Sequence, residues 1–213
     1  MPQDLERIAC SPLAISPTGF NPKAEIPYAC KIEQIRKAMG DFLDFLGFVN
    51  QQLATRKILR LESFLMPANF SSMVGEFMTA AIPKYCPALV KNRYHNGHPD
   101  MVPKGKFPGN SILHAREGIE IKASRHGSGW QGHNVENVWL MVFVFDANSS
   151  RDNGQGIAPK PFRCVKVVGA QLDKEDWAFS GRSATSRRTI TASVTRTGFE
   201  KMEANWIYRA DSE

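Results

Sequence analysis

Two carboxylates and one ammonium group stand out by their setting. Glu120 and Lys122 lie two apart in Gly118 to Ser124 (GIEIKAS), where Ile119, Ile121 and Ala123 alternate with polar residues. In an extended chain successive side chains point to opposite faces, so Glu120 and Lys122 share one face and the isoleucines take the other. Twenty residues upstream, Asp100 follows Pro99 at the head of a short apolar stretch, Met101-Val102, after the turn-forming sequence His95 to His98. If residues 104 to 116 form a loop or hairpin, the two strands lie side by side and Asp100, Glu120 and Lys122 converge. Such a set suits phosphodiester hydrolysis. A hard divalent cation is held by one or two carboxylates, waters and phosphate oxygens, and a neighbouring lysine can orient water or contact the phosphate. Glu76, the sole acid between Glu62 and Asp100, precedes both on a stretch of helical character.

The elements that must position these groups are legible in outline. Prolines at 2, 12, 17, 22 and 27 predict an irregular arm over residues 1–30. From Lys31 to about Leu65, apolar residues at 32, 35, 39, 42, 43, 46, 49 and 53 recur every three or four positions. That spacing predicts an amphipathic helical region, broken near Gly47. A second helix is expected from Asn69 or Ser71, either of which can cap it, to a stop at Pro83. Strands follow: Gly118 to Ser124; Trp139 to Asp146, whose continuous apolar run predicts burial on both faces; and Phe162 to Val168. A polar loop, Asn148 to Gly156, separates the last two. The stretch Ser180 to Thr197 reads as extended, and a closing helix or tail carries Met202, Trp206 and Tyr208. Helices followed by a mixed sheet predict an α/β or α+β chain, 1–213 forming a single domain.

Composition narrows the partner. Among 213 residues, 27 Lys and Arg stand against 21 Asp and Glu, a formal charge of +6. The excess is concentrated. Between Glu76 and Glu117 the only acid is Asp100, against six cations; between Asp176 and Glu200 there is none, against Arg182, Arg187, Arg188 and Arg196. Two acid-free basic tracts suit a polyanion, with arginine forks and hydroxyls reaching phosphates or guanine edges. Lys104, Lys106, Arg125, Gln131, His133 and the four arginines of the second tract are the candidate nucleic-acid contacts, with 177–199 as the DNA-contacting segment. The four cysteines are scattered with no CxxC pair, which predicts small buried hydrophobes. His95 and His98 lack partner thiols for a zinc site, and His133-Asn134 lacks the downstream histidine of a ββα-metal nuclease. The longest apolar run, Trp139 to Phe145, is too short to cross a bilayer, and MPQDLERIAC lacks the apolar region of a secretory signal, so a cytoplasmic protein with no membrane partner is expected.

Pro99-Asp100 followed by Glu120-Ile121-Lys122 resembles the PD-(D/E)XK signature of the restriction-endonuclease-like nuclease superfamily. The resemblance covers residues 71–168 as a catalytic core. It implies a mixed central sheet flanked by helices, behind a helical N-terminal region. It implies that Asp100 and Glu120 are metal ligands with the Ile121 carbonyl as a third, that Lys122 handles the attacking water, and that Glu76 is an auxiliary acid. The implied activity is a Mg²⁺-dependent DNA endonuclease, with Mn²⁺ able to substitute, leaving 5′-phosphate and 3′-hydroxyl ends. A type II restriction-type enzyme acting on double-stranded DNA as a homodimer is the leading expectation. A repair or junction-resolving nuclease of the same superfamily, and a non-catalytic DNA-binding protein, are the alternatives.

Overall fold

Against the expectation of an irregular arm, the chain begins with a helix, α1 (Pro2–Ala9). The computed structural model of the protein describes residues 2–132, 134–179 and 192–211. Residues 10–31 are then irregular apart from a short 3₁₀ turn at Pro17–Gly19. Helix α2 (Ile32–Thr55) buries Ile35, Met39, Phe42, Leu43 and Leu46 along one stripe. It is not broken at Gly47. A Cβ there would meet Pro12 Cδ at 3.1 Å, so the glycine seats the arm against the helix instead of interrupting it. Gln34 ties the start of α2 to the next long helix: its Oε1 accepts from Lys31 N–H (2.8 Å) and its Nε2 donates to the Tyr85 carbonyl (2.7 Å). A short helix, α3 (Leu61–Phe64), precedes α4 (Pro67–Tyr85). Helix α4 starts earlier than the cap signals suggest, because Pro67 occupies a first-turn position where its missing N–H is not needed and its φ is preset. It also runs past Pro83 for a final turn.

The strands follow as β1 (Leu89–Lys91), β2 (Met101–Pro103), β3 (Ile119–Ser124), β4 (Gln131–Gly132), β5 (Val138–Asp146), β6 (Arg163–Leu172), β7 (Trp177–Phe179) and β8 (Ala192–Val194). Helix α5 (Arg196–Ala204) and strand β9 (Trp206–Arg209) close the chain. A mixed α+β architecture results. Six strands form one sheet in the order β1-β2-β3-β5-β6-β9, with β3 and β5 parallel and every other neighbouring pair antiparallel. Strands β4, β8 and β7 form a second, small sheet. The expected core range 71–168 therefore stops short of the sheet, since β6 continues to Leu172 and β9 adds the sixth strand.

Strand β5 explains why its sequence does not alternate. Trp139, Met141, Phe143 and Phe145 face the core built with α2 and α4, while Val138, Leu140, Val142 and Val144 face a second core with Trp130, Trp177, Val194 and Met202. Both faces are covered, so every position but Asp146 is buried. No helix among the described residues is long and apolar enough to cross a membrane.

One polar cluster is sealed within the helical layer. The Arg60 guanidinium, 2% exposed, donates to Glu62 Oε1 (2.6 Å), Glu6 Oε1 (2.8 Å), Asn148 Oδ1 (3.0 Å) and the Lys160 carbonyl (3.0 Å). Glu62 is fully buried and its Oε2 accepts from Asn50 (3.0 Å). The cluster joins α1, α2, α3 and the β5–β6 connection. Removing one partner of a buried pair strands the other charge in a low dielectric. Arg60→Met is therefore expected to destabilise the protein by about 3–5 kcal/mol in urea unfolding, whereas breaking the solvent-exposed Arg36–Glu33 pair should cost far less. A loss below about 1 kcal/mol for Arg60→Met would refute this account of the cluster.

Candidate functional site

The register of β2 on β3 brings the two candidate carboxylates together. The strands are antiparallel with Met101 opposite Ile119, so Asp100 falls opposite Glu120. The side chains confirm the neighbourhood. Glu120 Oε2 accepts the Asp100 backbone N–H at 3.2 Å, and Asp100 Oδ2 accepts the Ile121 backbone N–H at 2.8 Å. Lys122 Nζ donates to Glu120 Oε1. Residues 104–116, expected as a loop or hairpin, form the β2–β3 connection with a 3₁₀ turn at Pro108–Asn110. Period two alone would leave Glu120 facing solvent, but the side chain is only 9% exposed, since the cleft folds around it.

Several short-range devices hold this register. The buried Asn92 side chain donates to the carbonyls of Pro99 (3.0 Å) and Ile112 (2.8 Å), and its backbone N–H donates to the Asp100 carbonyl (2.8 Å). Gly118 lets the strands close. Its φ is +143°, its N–H donates to Tyr28 Oη (2.7 Å), and a Cβ would lie 2.2 Å from the Met101 carbonyl oxygen and 2.3 Å from Pro99 Cγ.

Burial and crowding set the electrostatics. Burial pushes the Asp100 carboxyl up to about 7, and the nearby Glu120 charge adds to the effect. Burial also opposes ionisation of Glu120, but His98 and Lys122 overcome it and hold that carboxyl down near 2. Lys122 is raised: burial works against its charge, and Glu120 and Asp100 outweigh it. His98 is raised for the same reason, with Glu120 and Glu136 overcoming burial. Three carboxyl groups thus converge on a lysine and a histidine in a partly dehydrated space.

The site opens into a cleft of about 1220 Å³. One wall is α4, with Ser72, Gly75 and Glu76; another is the loop carrying Arg93 and Tyr94. Glu76 lies on this wall near the rim, 67% exposed and paired with Lys91 (2.7 Å), and its charge adds to the upward push on the Asp100 carboxyl. Lys104 and Lys106 are exposed at the opposite end of β2 and do not line the cleft; Lys106 lies 3.7 Å from Glu117. Gln131 is exposed on β4, paired in register with Ser193, and lies outside the cleft that its neighbours Asn134 and Glu136 line. Arg125 differs most from expectation. Its guanidinium turns inward, donating to the carbonyls of Ala147 and Asn148 and lying over the rings of Phe145 (5.2 Å) and Phe70 (5.7 Å). Arginine at a strand end can cap carbonyls as well as reach solvent, and spacing does not distinguish the two. Arg196 is 91% exposed on α5, paired with Glu200 (2.8 Å). His133, Arg182, Arg187 and Arg188 lie outside the described residues. The basic tract leaves from β7 at Phe179 and returns to β8 at Ala192, which pair with each other.

No protein-family model, curated protein or solved structure matches this chain. Among the described residues, no three His, Cys, Asp or Glu side chains are arranged to hold a metal ion by themselves. The hard donors that face each other are the Asp100 and Glu120 carboxyls, and Asp100 Oδ1 receives no hydrogen bond from the described residues. Mg²⁺ is characteristically bound by one or two carboxylates while keeping several waters, so this donor set fits a hard divalent cation completed by water and phosphate.

Two members of the cluster are not expected from sequence in this role. His98 Nδ1 lies 3.0 Å from Glu120 Oε2, and Glu136 Oε2 lies 3.1 Å from His98 Nε2. Glu136 precedes β5 in a loop with no periodicity to flag it, and its carbonyl is fixed by the Trp177 indole N–H (2.9 Å), far away in sequence. Gly118→Ala is expected to destabilise the fold by about 2 kcal/mol or more, because strained φ and steric overlap act together. Thermal unfolding within about 0.5 kcal/mol of the parent would reject the close approach of β2 and β3 at this point.

Proposed function

We propose that the protein is a Mg²⁺-dependent DNA endonuclease of restriction-endonuclease-like architecture, acting on duplex DNA as a type II restriction-type homodimer. One observation carries the reading: Asp100 and Glu120 lie opposite each other across β2 and β3, with Lys122 ion-paired to Glu120, in an open cleft. A structural Glu–Lys pair on an exposed strand needs neither a second carboxylate opposite nor a cleft of about 1220 Å³ above it. A mixed sheet with Glu120 on β3, Asp100 just before the adjacent β2 and a helix in front of them supports the reading.

In this reading Asp100 and Glu120 would hold the ion, with the Ile121 carbonyl as a further oxygen. When bound, a divalent cation neutralises charge developing on the phosphate and makes water a better nucleophile. Lys122 holds that water in line with phosphorus and donates to a non-bridging oxygen. A bond from the water oxygen to phosphorus would form as the bond to the 3′-oxygen breaks, the water giving up a proton to solvent and the departing 3′-oxygen taking one up from solvent. Lys91 and Arg93 on the rim would contact the flanking backbone, with Glu76, paired to Lys91, as the auxiliary acid. The basic tract 180–191, joined to paired strands β7 and β8, and Arg196 on α5 extend the surface available to phosphates.

Supercoiled plasmid incubated with Mg²⁺ or with EDTA tests the reading. Discrete fragments in Mg²⁺ alone are expected; nicking or smearing would assign a repair-type relative, and no metal-dependent cutting would sink the nuclease assignment. Glu120→Ala and Lys122→Ala should each slow cleavage by at least about 10²-fold while duplex binding stays within a few-fold, because they remove transition-state stabilisation rather than ground-state affinity. Full activity in either variant rejects these roles. The double change Arg187→Ala, Arg188→Ala should weaken duplex binding and reduce the salt slope by about 2, since each phosphate that is no longer neutralised lowers it by about 0.9. An unchanged slope would remove the tract from the interface.

A further inference from the structure

The cluster around Glu120 contains a side chain that the proposed chemistry does not use. His98 stands between two carboxylates, with Nδ1 3.0 Å from Glu120 Oε2 and Nε2 3.1 Å from Glu136 Oε2. The second contact is out of line for a hydrogen bond, so Nε2 is buried without a partner in that sense. The ring is fixed from outside the cleft. It stacks on His114 at 5.3 Å with planes 20° apart, and its backbone is clasped on both sides: His98 N–H donates to the Leu113 carbonyl (3.0 Å), and Ala115 N–H donates to the His98 carbonyl (2.9 Å). A histidine held this firmly can fix whatever its nitrogens touch.

What Nδ1 touches is the oxygen of Glu120 that also accepts the Asp100 N–H. With Oε2 engaged twice, rotation of the carboxylate about its last bond is restrained, and Oε1 is directed at Lys122. We propose that His98 is a positioning residue: it clamps Glu120 Oε2 through Nδ1 so that the opposite oxygen is presented to a divalent cation and its water. Residues that orient ligating carboxylates from behind typically change metal affinity or activity by about 10–100-fold when removed. The Nδ1–H tautomer suffices for the clamp, so no change of protonation is invoked. The inference rests on the nuclease reading for its catalytic consequence, but the clamp itself is a property of metal binding and can be read without DNA.

The two nitrogens allow a discriminating test. An asparagine amide can stand where Nδ1 stands, and a glutamine amide reaches where Nε2 stands. Mn²⁺ binding to the full chain, followed by calorimetry and by loss of the free-ion electron paramagnetic resonance signal, is expected to weaken by about 10–100-fold in His98→Ala and His98→Gln. It should return to within about 3-fold of the parent in His98→Asn. Plasmid cleavage should follow the same order, with duplex affinity unchanged. Equal Mn²⁺ binding by parent and His98→Ala overturns the proposal. So does equal impairment of the Asn and Gln variants, which would mark a packing role against His114. Should His98→Ala fail to fold, the Asn–Gln comparison decides alone. A parent that binds Mn²⁺ but cuts no DNA would defeat the nuclease reading and leave the clamp standing. A parent that binds no Mn²⁺ defeats both.

Discussion

A reciprocal exchange between backbone and carboxylate ties the site to the sheet. Asp100 donates its N–H to the Glu120 side chain, and the Asp100 side chain accepts the N–H next to Glu120. Neither contact survives a change of register, since a slip of one residue turns Glu120 and Lys122 to the opposite face. The short pairing of β2 with β3 is therefore what every electrostatic property of the cleft depends on. Once the two acids are forced together away from water, one is held charged by Lys122 and His98 and the other is pushed toward its neutral form. The result is a cleft, open on one side, in which carboxyl oxygens meet Lys122 and His98 out of bulk water.

The rest of the molecule supports that pairing. Strand β5, parallel to β3 and buried on both faces, pairs with β3 along all six of its residues, Ile119 to Ser124. The core on one side brings α4 and its wall of the cleft. The core on the other brings Trp177, whose indole fixes the Glu136 carbonyl and so connects the small sheet to the cluster. The same small sheet pairs Phe179 with Ala192, the described residues that flank the basic tract. The sealed network around Arg60 locks the helical layer from behind and links the first helix to the β5–β6 connection.

Much of this is legible in the chain, and the exceptions have identifiable causes. The α2 stripe, the buried run of β5 and the alternation of β3 follow from period alone. Gly47 misleads because a glycine in a helix can mark a break or a contact, and only the proximity of Pro12 tells which. The N-terminal helix is hidden by proline density, although proline is welcome in a first turn. Arg125 reads as a surface cation because sequence carries no sign of the free carbonyls at Ala147 and Asn148 that it caps.

Sequence by itself determined the types: two acids and a lysine on strand-like segments, a helix before them, and two basic tracts without acids. These are local properties, written in residue identity and in periods of two and 3.6. Tertiary structure alone decided which groups meet. The antiparallel register of β2, the approach of Glu136 from before β5, the placing of His98 between two carboxylates and the inward turn of Arg125 all join residues through contacts between separate elements. Those contacts are fixed by how the layers pack, and packing leaves no spacing in the chain from which they could be read.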